Sequence, residues 1–313
     1  MGYGIQDQQN IVQMVNYMRV IVVCFTIILL LIGLSACEKS EPLTSARYQA
    51  PDQLFERVKR NVHGASNLEQ IQEIDHSRLG DQAGSTMPPA RVLIFSNRKL
   101  ETVLIQKNPL TALDLPLRIL AYESAPNGES KVIFNSFEYL RSRYQLGELV
   151  TVEADYNASI KQALQGISES QIASFSNDQM DPDGIITLSS PFDFATTLER
   201  VHAAIKSQDD TVGFGQVDFQ ARALELGIIQ TPSTLILFGG PAPGAKAMAK
   251  SPTLGLDAFC QKFLVWEEDN GHVYLSFNDL LALAERQGTK KSPALRLINY
   301  RLKSVFEDAL QLD

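Results

Sequence analysis

The residues best equipped for chemistry are an adjacent pair, Asp75-His76, and a cysteine far from the N-terminus, Cys260. An aspartate beside a histidine can act as acid and base or supply two metal ligands. A lone thiol can act as a nucleophile when a neighbouring group lowers its pKa. Adjacent residues on a strand point to opposite faces, so Asp75 and His76 share a site only where the chain turns. The sequence contains no Cys-x-x-Cys pair, no His-Glu-x-x-His and no serine-centred nucleophile elbow. The loop Phe238-Gly-Gly-Pro-Ala-Pro-Gly-Ala-Lys lacks the Gly-Lys-Ser/Thr ending of a phosphate loop. No catalytic residue, metal or cofactor is therefore assigned.

These residues can be judged against an internal control, because one module is written twice. Arg91 to Asn135 reads RVLIF, NPLTALDLPLRILAYE, NG and IFN; Thr234 to Asn278 reads TLILF, SPTLGLDAFCQKFLVWEE, NG and SFN. A shift of 143 relates Phe95 to Phe238, Pro109 to Pro252, Asp114 to Asp257, Asn127 to Asn270 and Asn135 to Asn278. At that shift Cys260 falls on Leu117, which points to a small core residue. His63, His202 and His272 fall on Lys206, Lys59 and Glu129, as surface positions would. His76 falls on Phe219, so it belongs to one copy alone. Asp75/Asp218, Asp114/Asp257 and Asn135/Asn278 recur. Short Asx side chains at strand ends cap turns and helices, with Asn135 placed to cap the helix that follows, or they converge on a pocket. Asp75, His76, Asp114, Asn135, Asp218, Asp257 and Asn278 are the candidate ligand-binding residues.

The elements that must position them follow from periodicity. Leu54, Phe55, Val58 and Val62 make Pro51 to Val62 an amphipathic helix, echoed by Phe192 to Ile205. RVLIF and TLILF read as buried strands, LRILAYE and KFLVWEE as strands ending in acids, and Asn127-Gly128 and Asn270-Gly271 as tight hairpin turns. A short strand at 71–74 precedes His76, and a third strand closes each copy at Asn135 or Asn278. SNRKLETVLIQK reads as a polar connection. Helices are expected at 137–144 and 280–286, then at about 155–167 and 295–310. The fold class is α+β, with two similar domains, each a small mainly antiparallel sheet covered on one face by helices and paired as a pseudo-dimer. Their spans are 49–167 and 187–313, joined by a linker at 168–186.

The Ile-Asp-His segment, the Leu-Ile-Phe strand, Pro109 before Leu113-Asp114-Leu115-Pro116-Leu117-Arg118, the Asn-Gly turn and the terminal Phe134-Asn135 resemble the bacterial domain-of-unknown-function family numbered 302. The resemblance covers about 48–150 and 188–290. The second copy is looser, with Phe219 in place of His76. No reaction is established for that family, so the resemblance implies a fold and a pairing.

The N-terminus carries an address. Met18-Arg19, the apolar run Val20 to Leu34 and Leu34-Ser35-Ala36-Cys37 form a signal peptide with a lipobox-like end, resembling bacterial lipoproteins in which the cysteine is acylated. We expect residues 1–37 to be the signal, Cys37 the lipidation site, 38–48 a tether, and translation to start at Met18. The alternative is an uncleaved helix barely long enough for a bilayer core of about 30 Å. Both place the body outside the cytoplasm, facing the periplasm; the resemblance to lipoproteins implies, through Glu38 after the cysteine, the outer membrane over the inner if the cell has one. The chain has 28 basic and 36 acidic residues, a net charge of −8, and no basic cluster, which argues against nucleic acid. The expected function is a lipid-anchored envelope protein that binds a small molecule or an envelope protein without catalysis; the alternative is an enzyme or metal protein using Asp75 and His76.

Overall fold

The computed structural model describes residues 46–125, 128–176 and 184–311. The signal, Cys37 and the Asn127 turn lie outside them. The fold is α+β, with two five-stranded sheets and their helices.

In the first copy, α1 (Ala46–His63) precedes β1 (Glu69–Asp75), α2 (His76–Gln82), β2 (Ala90–Ser96) and α3 (Arg98–Lys107). A 3-10 turn, Pro109–Leu113, leads to β3 (Leu117–Glu123), β4 (Ser130–Ile133), α4 (Phe137–Tyr144), α5 (Val150–Ala163) and a two-residue β5 (Ile172–Ala173). The second copy runs β6 (Ile185–Ser190), α6 (Phe194–Lys206), β7 (Val212–Asp218), α7 (Phe219–Leu224), β8 (Ser233–Gly239) and α8 (Pro241–Met248). A 3-10 turn at Pro252–Gly255, β9 (Gln261–Glu267), β10 (Val273–Asn278), α9 (Leu280–Arg286) and α10 (Pro293–Ala309) complete it. The strand orders are β1-β2-β3-β4-β5 and β6-β10-β9-β8-β7.

Several elements depart from the periodicity reading. α1 starts at Ala46, inside the expected tether, with Pro51 within it. The segment read as a polar connection is a full helix, α3, capped by Asn97, whose side chain accepts from the Leu100 amide, and buried through Leu100, Leu104 and Ile105. Part of the expected linker is structural: Ile172 and Ala173 pair in parallel with Val132 and Ile133. In the second copy that edge is held by β6, antiparallel to β10.

The central strands are buried on both faces, every residue of β3 and β8 included. One face of each sheet is covered by its own long helix, α1 on β2 to β4 and α6 on β9 and β10. The other faces the opposite copy: Pro109–Leu113 packs on β8 to β10, and Pro252–Gly255 packs on β2 and β3. This double burial explains the near-continuous apolar runs RVLIF and TLILF, which show no alternation. The copies also exchange helix contacts, α2 against α8 and α7 against α3, within one compact unit, Ser45–Asp313.

The register corrects one equivalence. Phe95 pairs with Leu117 and Phe238 with Gln261, so the shift is 143 in the second strand and 144 in the third. Cys260 therefore stands where the first copy has Pro116, not Leu117, and the peptide bonds Leu115–Pro116 and Phe259–Cys260 are both cis.

The approach of α2 to α8 depends on Gly80, where an added Cβ would lie 2.5 Å from the Ala245 Cβ and 2.6 Å from the Ser85 carbonyl oxygen. Neither neighbour is a flexible side-chain end, so Gly80→Ala is expected to lower stability by about 1–3 kcal/mol through overpacking. Urea unfolding measures this, and because the contact joins the copies it should shift one common transition. Two separate transitions with only the first displaced would contradict the shared packing.

Candidate functional site at the seam between the copies

The duplicated Asx residues do two different jobs. Asp75 and Asp218 are N-caps: their Oδ1 atoms accept the amides of Arg78 (2.8 Å) and Ala221 (2.9 Å), starting α2 and α7. The chain does turn at Asp75, yet the turn sends the pair to separate partners. Asp75 also accepts from Ser77 Oγ (2.8 Å) and pairs with Arg78, which reaches Asp52 as well. His76 is buried against the second copy, with Nε2 3.0 Å from the Gly255 carbonyl oxygen, so that nitrogen carries the proton and donates. Burial pulls the His76 pKa down to about 4, against the opposing effects of that hydrogen bond and the Asp75 charge. The ring is neutral at pH 7. Gly255 leaves room for it, since a Cβ there would sit 2.8 Å from His76 Cδ2.

Asp114, Asp257, Asn135 and Asn278 converge at the seam. Asn135 does not cap α4; Ser136 does, accepting the Tyr139 amide, which frees the Asn135 amide to cross the interface. Its Nδ2 donates to Asp257 Oδ1 (2.8 Å), and its Oδ1 accepts from Arg286 Nη1 (2.8 Å). Opposite, Arg143 Nη1 donates to Asp114 Oδ2 (2.7 Å) and Nη2 donates to Asn278 Oδ1 (2.6 Å). Arg286 Nη1 also lies 3.4 Å from Asp257 Oδ2. Each half is a carboxylate and an arginine of one copy meeting an asparagine of the other. Arg143 and Arg286 are themselves 143 apart.

Aromatic groups seal the cluster. Tyr144 donates to Asp114 Oδ2 and Arg143 to the Tyr139 hydroxyl, both at 2.7 Å, while the Arg286 guanidinium lies 3.6 Å from the centre of the Tyr139 ring. Phe175, from the segment between the copies, lies over the same guanidinium at 4.4 Å. Arg118 and Lys262, one residue into β3 and β9, add two more buried cations, at 3.3 and 3.6 Å from Asp114 Oδ1. Burial alone would raise the Asp114 carboxyl. Arg143, then Lys262 and Arg118, together with the Tyr144 hydrogen bond, outweigh it and hold the carboxyl far below the usual range. Burial and the Arg118 charge pull Lys262 down to about 8, against the attraction of Asp114 and Asp257.

Cys260 is buried, and burial pushes its thiol up to about 11, which leaves little thiolate at neutral pH. His63, His202 and His272 are exposed. Among the described residues no group of three or more His, Cys, Asp or Glu is placed to hold a metal ion. Sequence reasoning passed over Arg143 and Arg286, although the shift that exposed the Asx pairs relates them too. A third contact across the copies runs through Arg222, which donates to Ser96 Oγ (2.6 Å) and pairs with Glu69 (3.1 Å).

The model of the family described as domain of unknown function DUF302 matches residues 43–167 and again 186–308, and the chain belongs to that family as a tandem of two copies. It is 41% identical over 103 residues to proteins named fluoride-specific ion channel FluC 1 in Brucella suis and FluC 2 in Brucella melitensis. The matched stretch is 33% of this chain and 40% and 37% of those proteins, so the chain spans about two fifths of their length. A crystal structure of an uncharacterized conserved DUF302 protein from Bacillus stearothermophilus aligns with 19% identity and a TM-score of 0.34, over 41% of this chain and 95% of that one.

The neutral buried histidine has a pH signature. His76 stays unprotonated in the folded chain down to about pH 4, whereas the unfolded chain takes up the proton near its ordinary value of 6.5. Its contribution is full above that value and is lost as pH falls toward 4, by up to about 3 kcal/mol. His76→Phe, the residue found at position 219, is expected to flatten this acid limb in urea unfolding between about pH 7 and 4. An unchanged slope would contradict the burial argument.

Proposed function

We propose that this is a lipid-anchored envelope protein, held by Cys37 and facing the periplasm, whose fused copies recognise a small molecule or partner segment without catalysis. The observation that carries the reading is a cleft of about 660 Å³ whose walls come from both copies. Ile105, Gln106 and Pro109 supply one wall, and Ile229 to Thr231 with Trp266 to Asp269 the other. That volume falls in the range of small-ligand sites. Trp266 is stacked on Tyr274 with ring centres 4.9 Å apart and donates its indole N–H to Ser276, so the wall is fixed before anything binds. Ile229 is 90% exposed at the edge, and Glu267, Glu268 and Asp269 line the rim. This chemistry suits a ligand with an apolar body and a positive charge.

The enzyme or metal alternative has nothing comparable behind it, because the Asp75 carboxylate is engaged at the start of α2 and the His76 ring is neutral and bonded to Gly255. From the Brucella relatives we carry over only a setting. Their name implies a membrane, and a shared module working beside one agrees with a lipid anchor. Among the described residues no helix is long and apolar enough to cross a membrane.

Two measurements test the proposal. Fatty-acid labelling in the native host is expected to vanish in Cys37→Ser; persistent labelling would contradict the anchor. Native mass spectrometry of protein purified from that host is expected to show a retained mass that Gln106→Arg, which puts a cation against the acidic rim, removes and His76→Phe keeps. The reverse pattern would favour a site at His76.

A further inference from the structure

The two halves of the seam are not equivalent. Arg118 and Asn135 of the first copy correspond to Lys262 and Asn278 of the second, and each pair lies opposite on neighbouring strands, on one face, a step or two past the last registered pairs, Leu120–Ile133 and Phe263–Phe277. In the first copy one terminal nitrogen of Arg118 donates to the Leu113 carbonyl (3.3 Å) and Asp114, its Nε having no acceptor, and the Asn135 amide nitrogen donates to Asp257. In the second copy the Asn278 oxygen accepts from Arg143, which can only donate, so the orientation of that amide is fixed and its nitrogen points elsewhere. Neither the Asn278 Nδ2 nor the Lys262 Nζ has a hydrogen-bond acceptor, although the two residues are only 4% and 2% exposed. The nearest carboxylate oxygen to the ammonium, Asp114 Oδ1, is 3.6 Å away.

A small cavity has both Lys262 and Asn278 in its lining, with Asp257, Gln261, Phe263 and Phe277 among its other walls. Its volume of about 10 Å³ is room for one particle the size of a water molecule. Lysine stands here where the first copy has arginine, and its shorter ammonium lacks the fork with which Arg118 reaches its neighbours. The charge around it is unbalanced. Asp114 and Asp257 face four buried cations, Arg118, Arg143, Lys262 and Arg286. Asp257 already accepts from Asn135 and Arg286, and Gln287 lies 3.5 Å from it.

We propose that this cavity is a binding site for one small monovalent anion, of the size of fluoride, held by the Lys262 ammonium and the Asn278 amide. Two orphaned donors and a surplus of positive charge define the sign of the occupant. The volume defines its size, leaving out nitrate and phosphate. The site is separate from the acidic cleft, so either proposal can fail without the other. Binding requires protonated Lys262, which is faced by Arg118, Asp114, Asp257 and Cys260, with Arg143, Arg286 and Tyr144 in the same cluster. Cys260, at about 11, and Tyr144, raised above its ordinary value, stay neutral while Lys262 titrates near 8. Affinity should therefore fall as pH rises through that value.

The test is 19F NMR of sodium fluoride with the full chain at about pH 6.5. The expected result is a bound signal of one fluoride per chain that equal concentrations of nitrate leave in place and that weakens above about pH 8. Lys262→Arg copies the first repeat and fills the space; Asn278→Asp keeps the acceptor for Arg143 and replaces the donor with a charge. Each should remain folded and bind fluoride about tenfold more weakly or worse, the loss expected for a charge-assisted hydrogen bond. A fluoride signal identical to that of the free ion with the unmodified chain would mean that the cavity holds water only. Undiminished binding in both variants would place the ion elsewhere; either outcome overturns the proposal.

Discussion

The structure depends on one arrangement of charge: an Asp–Arg pair in each copy whose arginine is shared with an asparagine of the other. Removing charged groups from water is costly, and a buried pair recovers the cost only when its remaining hydrogen-bonding positions are filled. Arg143 engages both of its terminal nitrogens, with Asp114, Tyr139, Asn278 and the Gly184 carbonyl, and Asn135 bridges Arg286 and Asp257. Neither half can be completed within one copy. The duplicated chain therefore behaves like a two-fold dimer whose partners are covalently joined, and the inner faces of both sheets can afford to be apolar because the 3-10 turn of the opposite copy covers each.

That constraint accounts for the fate of the reactive-looking residues. A histidine and a cysteine inside such an interface are desolvated before they can react: His76 loses its affinity for a proton and Cys260 holds on to its own. What differs between the halves is of more interest than what they share. Arg118 against Lys262 changes the reach of one cation, and on the Lys262 side the ammonium and the Asn278 amide nitrogen are both without acceptors.

Much of this was legible in the sequence, and the reason is duplication. RVLIF and TLILF, the Asn-Gly turns and the recurring Asp and Asn gave the strands, the α+β class and the residues that meet at the seam. What escaped did so for physical reasons. Arg143 sits in the helix expected at 137–144, and no local pattern says that its guanidinium is buried; only its spacing from Arg286 points to it. α3 was hidden by its polar residues, although Asn97, Leu100, Leu104 and Ile105 carry a cap and a helical stripe. Cys260 was matched to the wrong partner because the extra residue lies between the 3-10 turn and β9, where sequence has no register to count against. The contribution of Ile172 and Ala173 to a sheet depends on a neighbouring strand with a free edge, a fact of tertiary structure alone.

The central claim, that the two copies are bound into one unit by polar contacts neither can satisfy alone, is tested most directly by a double-mutant cycle across the seam. Asn135→Ala, Asp257→Ala and the double variant, compared by urea unfolding, report the coupling between residues of different copies joined at 2.8 Å. The predicted result is a coupling of about 1–3 kcal/mol, as for residues sharing one buried network. Effects that add to within about 0.5 kcal/mol would contradict it and leave the copies as neighbours held by apolar packing alone.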